Sequence, residues 1–579
     1  MASDPNKDLH SVRDTVESIW VAIILAFVLR AFMVEAFVIP TGSMAPRLMG
    51  EHWDLRCPSC GLEYAFGYNE YSYGGPPRRG QEYTPMNAAC PSCRREYTHR
   101  DLVNNGDRVL VLKYVYPFRS PQPFDVVVFH NPQSNEDNYI KRLIGLPGET
   151  IELVHGDVFV NTKPRNDPEF ASGWQIRRKP PRAQEAMWQV LFDNDYRPDP
   201  QWIKDAPQCP RWVVAGASAA EARRWNAGPE GRIDSRTFSF AGGAEQAVSL
   251  STTRGHFKPI YGYNPQSQGD AYDLYGDADV NGDLRLSTVL MSGGGHSQVS
   301  LTIMGISQEF RAVVDTGGSV ELFRRPRGAD SWGQPWQRAT IEPIGKGKGC
   351  EISLAHADYT VTVSVAGRAV INQPYEASYH RLMERLAQVQ KVSADAQTLF
   401  PTPQVSIAGS GEAFELLHVR VDRDVYYISR SFELEDLAEM ANNPVLMQYA
   451  LSEPIRRQIE AFPAPSGRGY LGWGVTGRPI TLNKNPDNPD LDSFFVLGDN
   501  SPASLDGRAW VKAAPTLKLW KDPQNPNVGG RTPLYQLGTV PRYNMIGKAI
   551  YVYWPAGFRP PGAPSLPILP NVGKMRLIY

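Results

Sequence analysis

The stretch Thr41–Pro46 reads "TGSMAP" and places one serine, Ser43, directly behind an apolar run. A serine hydroxyl attacks a carbonyl only when a base removes its proton and donors hold the resulting oxyanion. Histidine is the usual base, yet the ten histidines of this chain form no triad motif. His130, at the end of a predicted strand, reads as structural. Lysine is the other option, provided an apolar setting keeps it neutral. "NYIKRLIGLPGE" puts Lys141 among Tyr139, Ile140, Leu143 and Ile144, and strand alternation turns it to the same face as Tyr139 and Leu143. Taken alone, such a lysine reads more simply as one whose stem lies on apolar surface and whose ammonium reaches solvent.

A second chemical pattern is Cys57-Pro-Ser-Cys60 with Cys90-Pro-Ser-Cys93. Four thiolates at this spacing match a tetrahedral structural zinc ribbon. Disulfides are the rival in an oxidising compartment. A bridge inside one four-residue loop is strained, whereas cross-pairing stays open. No open coordination position is evident, so a catalytic metal is not expected. Cys209 and Cys350 stand alone, as buried thiols or as partners in a long-range bridge. "DADVNGD" over Asp277–Asp283 has the acid spacing of a calcium loop, but Thr288 stands where a bidentate acid is needed. An Asn-Gly turn between strands is the reading favoured there.

These residues need elements to hold them. Apolar residues make up 42% of the 579, enough for a core, and 60 basic against 61 acidic residues leave no field to recruit nucleic acid. Spread-out Gly and Pro favour strands and turns. "DRVLVLKYVY", "FDVVVFHNP", "YIKRLIGLPGETIEL" and "GDVFVNTKP" read as successive strands. Residues 236–372 alternate like a β-sandwich, loosely similar to laminin-G-like or concanavalin-like folds. Helices are expected over 380–392 and 434–462, with a strand at 416–428 between them. The run Ile19–Leu29 is unbroken apolar, Arg30 and Glu35 interrupt it, and it resumes to Ile39. A signal-anchor helix over 18–39 is expected. A cleaved signal peptide and a buried helix are the alternatives, and flanking charge does not fix orientation.

Taken in order, "FVIPTGSMAP", "GDRVLV", "YIKRLIGLPGE", "VLGDNSPASLDGRAW" and "MIGKAIYVYWP" resemble the successive boxes of the type I signal peptidases. The resemblance implies a Ser/Lys dyad on a β-rich domain held at the outer face of a bacterial inner membrane. It needs no catalytic cofactor. It assigns Ser43 as nucleophile and Lys141 as general base. Thr41 would help Ser43 N–H hold the oxyanion, and Ser504 would orient the lysine. Asp499, Asp506 and Arg508 would support the site, although Gly507 stands where the family has serine. The implied substrates are signal-peptide-bearing preproteins with small residues at −1 and −3, bound as an added strand between "AFVIP" and "DNYIK".

The expected architecture is mainly β. It comprises a tail (1–17), an anchor (18–39), a first core segment (40–164) interrupted by the ribbon (54–100), and a large insertion (165–415) with the sandwich. A second core segment (416–560) and a Pro-rich tail (561–579) follow. The sandwich is a candidate binder of carbohydrate or protein and is expected to be dispensable for chemistry on a short peptide. The rival function is an inactive, membrane-anchored binding module built on that sandwich.

Overall fold

Val126–His130, "VVVFH", alternates between two cores. Val126 and Val128 pack with Ile39, Met44, Val109 and Val552, whereas Val127 and Phe129 pack with Leu143, Val496 and Trp510. A strand buried on both faces must be apolar throughout, which is why it reads as an unbroken run. It sits near the middle of an eight-stranded antiparallel sheet. The order is Val34–Val38, Arg108–Leu112, Met545–Trp554, Val126–His130, Asn138–Gly145, Ser493–Leu497 and Val540–Pro541, and Arg576–Leu577 adds to Met545–Trp554. The computed structural model describes residues 5–67, 86–99, 103–134, 137–205, 209–214, 224–228, 230–264, 278–391, 396–429, 431–433, 461–463, 469–514, 517, 535–555 and 571–579.

A smaller sheet of Trp174–Ile176, Asp157–Asn161, Thr150–Val154 and Ile480–Thr481 continues from the first. Two seven-stranded antiparallel sheets lie beyond it. Leu286, Leu290, Leu354 and Val363 of one and Val299, Leu301, Ile303 and Phe310 of the other share a single buried core. These sheets extend past the expected limits of 236 and 372. Gln189–Asp193 pairs with Phe414–Arg423, and both belong to the first of the two sheets. The expected strand at 416–428 therefore stands in this unit and not in the second core segment.

Two further expectations change. Helix Pro5–Phe32 stops short of Ile39, and Val34–Val38 forms a strand paired with Arg108–Leu112. The β-branched and aromatic content of "VEAFV" and the Glu35–Lys113 ion pair at 3.1 Å favour the sheet edge over a continued helix. Among the described residues, no helix is long and apolar enough to cross a membrane. The helix nevertheless exposes Trp20, Val21, Ile24, Leu25, Phe27 and Phe32. At the other end, the expected irregular tail includes a strand at Arg576–Leu577, and Ile578 is buried beside Val109 and Val552. Of the expected helices, one forms over Tyr379–Lys391. The other, at 434–462, lies almost wholly outside the described residues.

The serine loop, 40–50, closes at a narrow neck. Ile39 N–H donates to Asp107 O at 2.9 Å, Asp107 N–H to Met49 O at 2.8 Å, and Met49 N–H to the Asp107 carboxylate at 3.1 Å. Two glycines make this closeness available. A Cβ on Gly106 would lie 1.7 Å from Ile39 O, and one on Gly50 would lie 2.3 Å from the Thr41 carbonyl carbon. Backbone atoms cannot step aside as a side-chain tip can. Gly106→Ala is therefore expected to destabilise the protein by about 1–3 kcal/mol, the range typical of overpacking. Denaturant melts of the variant against wild type check this.

Candidate active site

Met44 and Leu48 are fully buried in the core under the sheet and act as the two pegs of the serine loop. Between loop neck and pegs, Gly42–Met44 forms one 3₁₀ turn that carries Ser43. Lys141 comes from the neighbouring strand, where it pairs with Val127. Its Nζ lies 2.5 Å from Ser43 Oγ, and both side chains are buried. The Tyr139 ring lies 5.4 Å from the amine on the same strand face.

Burial lowers the Lys141 pKa to about 8, from an ordinary value of 10.5. The Asp506 charge opposes the shift, Arg508 adds to it, and Asp499 opposes it. Neither aspartate stands as a free negative charge. Arg142, next in the strand and on its other face, grips Asp499 through Nε at 2.7 Å and Nη2 at 2.6 Å. Arg508 grips Asp506 at 2.8 and 2.7 Å. Burial alone would raise the Asp506 carboxyl. The charge and hydrogen bonds of Arg508, with the Gly498 N–H, outweigh it and hold the group below the usual carboxylate range.

The segment 498–501 locks onto the serine loop. Asn500 N–H donates to Ser43 O at 3.0 Å, and its Nδ2 donates to Gly42 O at 3.0 Å. A Cβ on Gly498 would lie 2.2 Å from Ser504 Oγ and 2.4 Å from Ser43 O, so only glycine fits between the two serines. Ser501 Oγ accepts from Ile428 N–H and Arg508 Nη1, each at 2.8 Å.

Thr41 is exposed, in extended conformation at the head of the turn, and its side chain makes no capping hydrogen bond. The hydrogen bond expected from Ser504 to Lys141 is not made. Ser504 Oγ is buried with no hydrogen-bond partner among the described residues. Packing against Gly498, not a bond to the amine, sets its position. His130 stands exposed at the strand end opposite Asn138. Sequence reasoning missed Arg142, Asn500 and Ser501. An arginine adjacent to the lysine in an otherwise apolar strand was the available signal for Arg142. Nothing local marks the other two.

The four cysteines converge. Cys57 and Cys93 sulfurs are 3.6 Å apart, as are those of Cys60 and Cys90, and all four lie within 4.8 Å of one another. Sulfurs about 2.3 Å from a tetrahedral zinc would be about 3.8 Å apart, whereas a disulfide needs about 2.05 Å. The arrangement therefore fits a metal. Each CxxC turn closes alike, with Gly61 N–H on Cys57 O at 2.9 Å and Arg94 N–H on Cys90 O at 3.0 Å. Cys209 is buried beside this cluster, and Cys350 is a separate free thiol. Asp277, the first residue of the acidic motif, lies outside the described residues, and the described part, 278–283, forms no helix. Asn281 caps Asp283 N–H at 2.9 Å, and Asp283 meets His356 at 2.9 Å.

The family model for signal peptidase, peptidase S26, matches residues 93–194, which include Lys141. The chain resembles the type I signal peptidases. Signal peptidase I of Rickettsia typhi is 27% identical over 163 residues, which are 28% of this chain and 48% of that protein. Signal peptidase I of Leptolyngbya laminosa is 36% identical over 97 residues, covering 15% of this chain and 47% of that protein. The chain thus spans about half the length of the curated relatives it matches. Among solved structures, the carbohydrate-binding module CBM66 from Bacillus subtilis aligns at 10% identity and TM-score 0.21, over 36% of this chain and 94% of that one. Sheep galectin-11 aligns at 12% identity and TM-score 0.17, over 24% and 91%.

Only the neutral amine can accept a proton, so if Lys141 serves as a base, activity should rise with pH through a midpoint near 8 and fall as the ammonium forms below it. Initial rates on a short peptide across pH 6–10 check the sign and midpoint. Asp499→Asn, which strips Arg142 of its buried partner, should cost about 3–5 kcal/mol of stability, read from denaturant melts.

Proposed function

We propose that the protein is a membrane-bound serine endopeptidase that removes signal peptides from exported preproteins. The observation that carries this reading is the 2.5 Å contact between Lys141 Nζ and Ser43 Oγ inside a buried site. In the acylation step neutral Lys141 takes the Ser43 proton as Oγ bonds to the scissile carbonyl carbon. The carbonyl π pair moves to oxygen, and the Ser43 N–H with the Thr41 hydroxyl receives the oxyanion. Collapse of this intermediate breaks the C–N bond, and the Lys141 ammonium gives its proton to the departing amine. Water then attacks the acyl carbonyl as neutral Lys141 takes its proton. Collapse of the second tetrahedral intermediate breaks the bond from Ser43 Oγ to the acyl carbon as the Lys141 ammonium returns that proton to Oγ, releasing the new carboxyl and restoring both residues.

The sheet offers a place for an extended substrate. Val34–Val38 is an edge strand, and Ser493–Leu497 pairs with the lysine strand only over Arg142–Gly145. Asn138–Lys141 is thereby left unpaired on that side by any described strand. A peptide added as a strand would present alternate side chains to one face, which fits selection at −1 and −3. The exposed apolar side chains of Pro5–Phe32 supply the lipid contact, and the serine loop follows that helix after one short strand. In this reading the chemistry takes place at the membrane surface, on the outer side of a bacterial inner membrane.

The cysteine cluster is proposed to hold one structural zinc through Cys57, Cys60, Cys90 and Cys93. A closed four-thiolate set leaves no position for substrate, so the ion would serve folding alone. Metal analysis of the purified chain should find about one zinc per chain, and a strong chelator should lower its melting temperature. Metal-free protein of unchanged stability would count against the ion.

The decisive assay compares wild type, Ser43→Ala, Lys141→Ala and Lys141→Arg on a model preprotein. All three variants should lose at least about 10³-fold in turnover, because loss of the nucleophile or base leaves only binding and oxyanion contributions. Lys141→Arg fails despite its charge, since a guanidinium stays protonated. Near wild-type turnover by Lys141→Arg would return the role of base to a histidine such as His130.

A further inference from the structure

We infer that Asn264, from the large insertion, is a positioning residue for the nucleophile, so that the insertion is part of the active site. The inference rests on Ser43 being that nucleophile.

Asn264 and Asn500 are both buried and face each other amide to amide. Asn500 Nδ2 donates to Asn264 Oδ1 at 2.7 Å, and Asn264 Nδ2 donates to Asn500 Oδ1 at 2.9 Å. One Asn500 Nδ2 hydrogen goes to Asn264 and the other to Gly42 O at 3.0 Å. Asn264 thereby fixes which way the Asn500 amide points, and without it that amide is free to turn away from Gly42. Gly42 O belongs to the same planar trans peptide as Ser43 N–H, so carbonyl and N–H point in opposite directions. Holding the carbonyl aims the N–H, and that N–H is the proposed oxyanion donor.

The neighbouring Tyr263 supports the same turn. A Cβ on Gly42 would lie 2.2 Å from its ring, and Tyr263 OH donates to Glu51 O at 3.2 Å. The segment that delivers both residues is anchored in the two-sheet unit. Arg423 donates from Nη1 to Lys258 O at 2.5 Å and to His256 O at 3.3 Å, and from Nη2 to Ile260 O. Its guanidinium also lies over the Tyr261 ring, 5.4 Å from the centroid. A continuous chain of contacts thus runs from the two-sheet unit through residues 256–264 to the peptide that bears Ser43. This replaces the expectation that the insertion is dispensable for chemistry on a short peptide.

The test uses the full chain in detergent and a synthetic peptide with alanine at −1 and −3. Asn264→Leu keeps the shape and removes every hydrogen bond; Asn264→Ala is the second variant should the first fail to fold. A weakened oxyanion donor lowers turnover without altering ground-state binding or the base. The expected result is a kcat lower by about 10–100-fold, with KM within about twofold, the pH midpoint unmoved and the melting temperature near wild type. An unchanged kcat overturns the inference. So does a loss carried by KM, or by a shifted pH midpoint, because either places the effect on substrate binding or on Lys141. Ser43→Ala and Lys141→Ala are run alongside. If they stay active, the dyad itself is wrong; if they are dead while the Asn264 variants match wild type, only this inference fails.

Discussion

A lysine amine 2.5 Å from a serine hydroxyl accepts a proton only while it is neutral, and neutrality must come from withholding both water and negative charge. Burial supplies the first condition. The second is harder, because two aspartates stand close enough to shift the amine. Each is closed onto its own arginine, Asp499 with Arg142 and Asp506 with Arg508, in fully buried two-point pairs. A carboxylate already held by a guanidinium has little field left to stabilise an ammonium. The pairs are costly to bury as stability devices. Here they let acidic residues frame the site without holding the Lys141 amine in its charged form.

The same strand serves both demands. Lys141 faces Tyr139 and Ser43, while Arg142 points through the sheet to Asp499 and Phe124 O. Period-two alternation separates the lysine amine from the guanidinium that binds the acid by one residue. Meanwhile the serine arrives on a loop whose pegs, Met44 and Leu48, sit in the core and whose neck is closed by glycines at 50 and 106. Ser43 is thus fixed from below by packing and from the side by Asn500. A third glycine, Gly498, lets the segment carrying Asn500 pass between Ser43 O and Ser504.

Around this centre the inserted units are joined to it and to one another. Trp202, from the chain entering the two-sheet unit, donates to Cys93 O at 3.1 Å, and Asp199 N–H meets Ser59 Oγ at 3.1 Å. A Cβ on Gly262 would lie 2.8 Å from Pro91 of the second CxxC turn, and Gly67 N–H donates to Tyr263 O at 2.6 Å. The cysteine cluster, the two-sheet unit and the serine loop therefore meet along one segment, 261–264. Ordering any one of them restricts the others.

The sequence by itself determined the chemistry-bearing residues and the local elements. A serine behind an apolar run, a lysine in an apolar strand and paired CxxC turns are short-range patterns, and period-two alternation marks strands wherever one face is buried. The order of five short boxes supplied the family resemblance. Tertiary structure decided the partnerships. Asn264 and Asn500, or Arg142 and Asp499, lie hundreds of positions apart, and no local pattern encodes which amide or carboxylate a side chain will meet. It also decided that Ser504 packs without bonding Lys141, because a hydroxyl's partner depends on ångström-scale geometry. The helix ends at Phe32 because a waiting strand edge at Arg108–Leu112 competes for the residues that follow, and that edge exists only once the sheet is assembled.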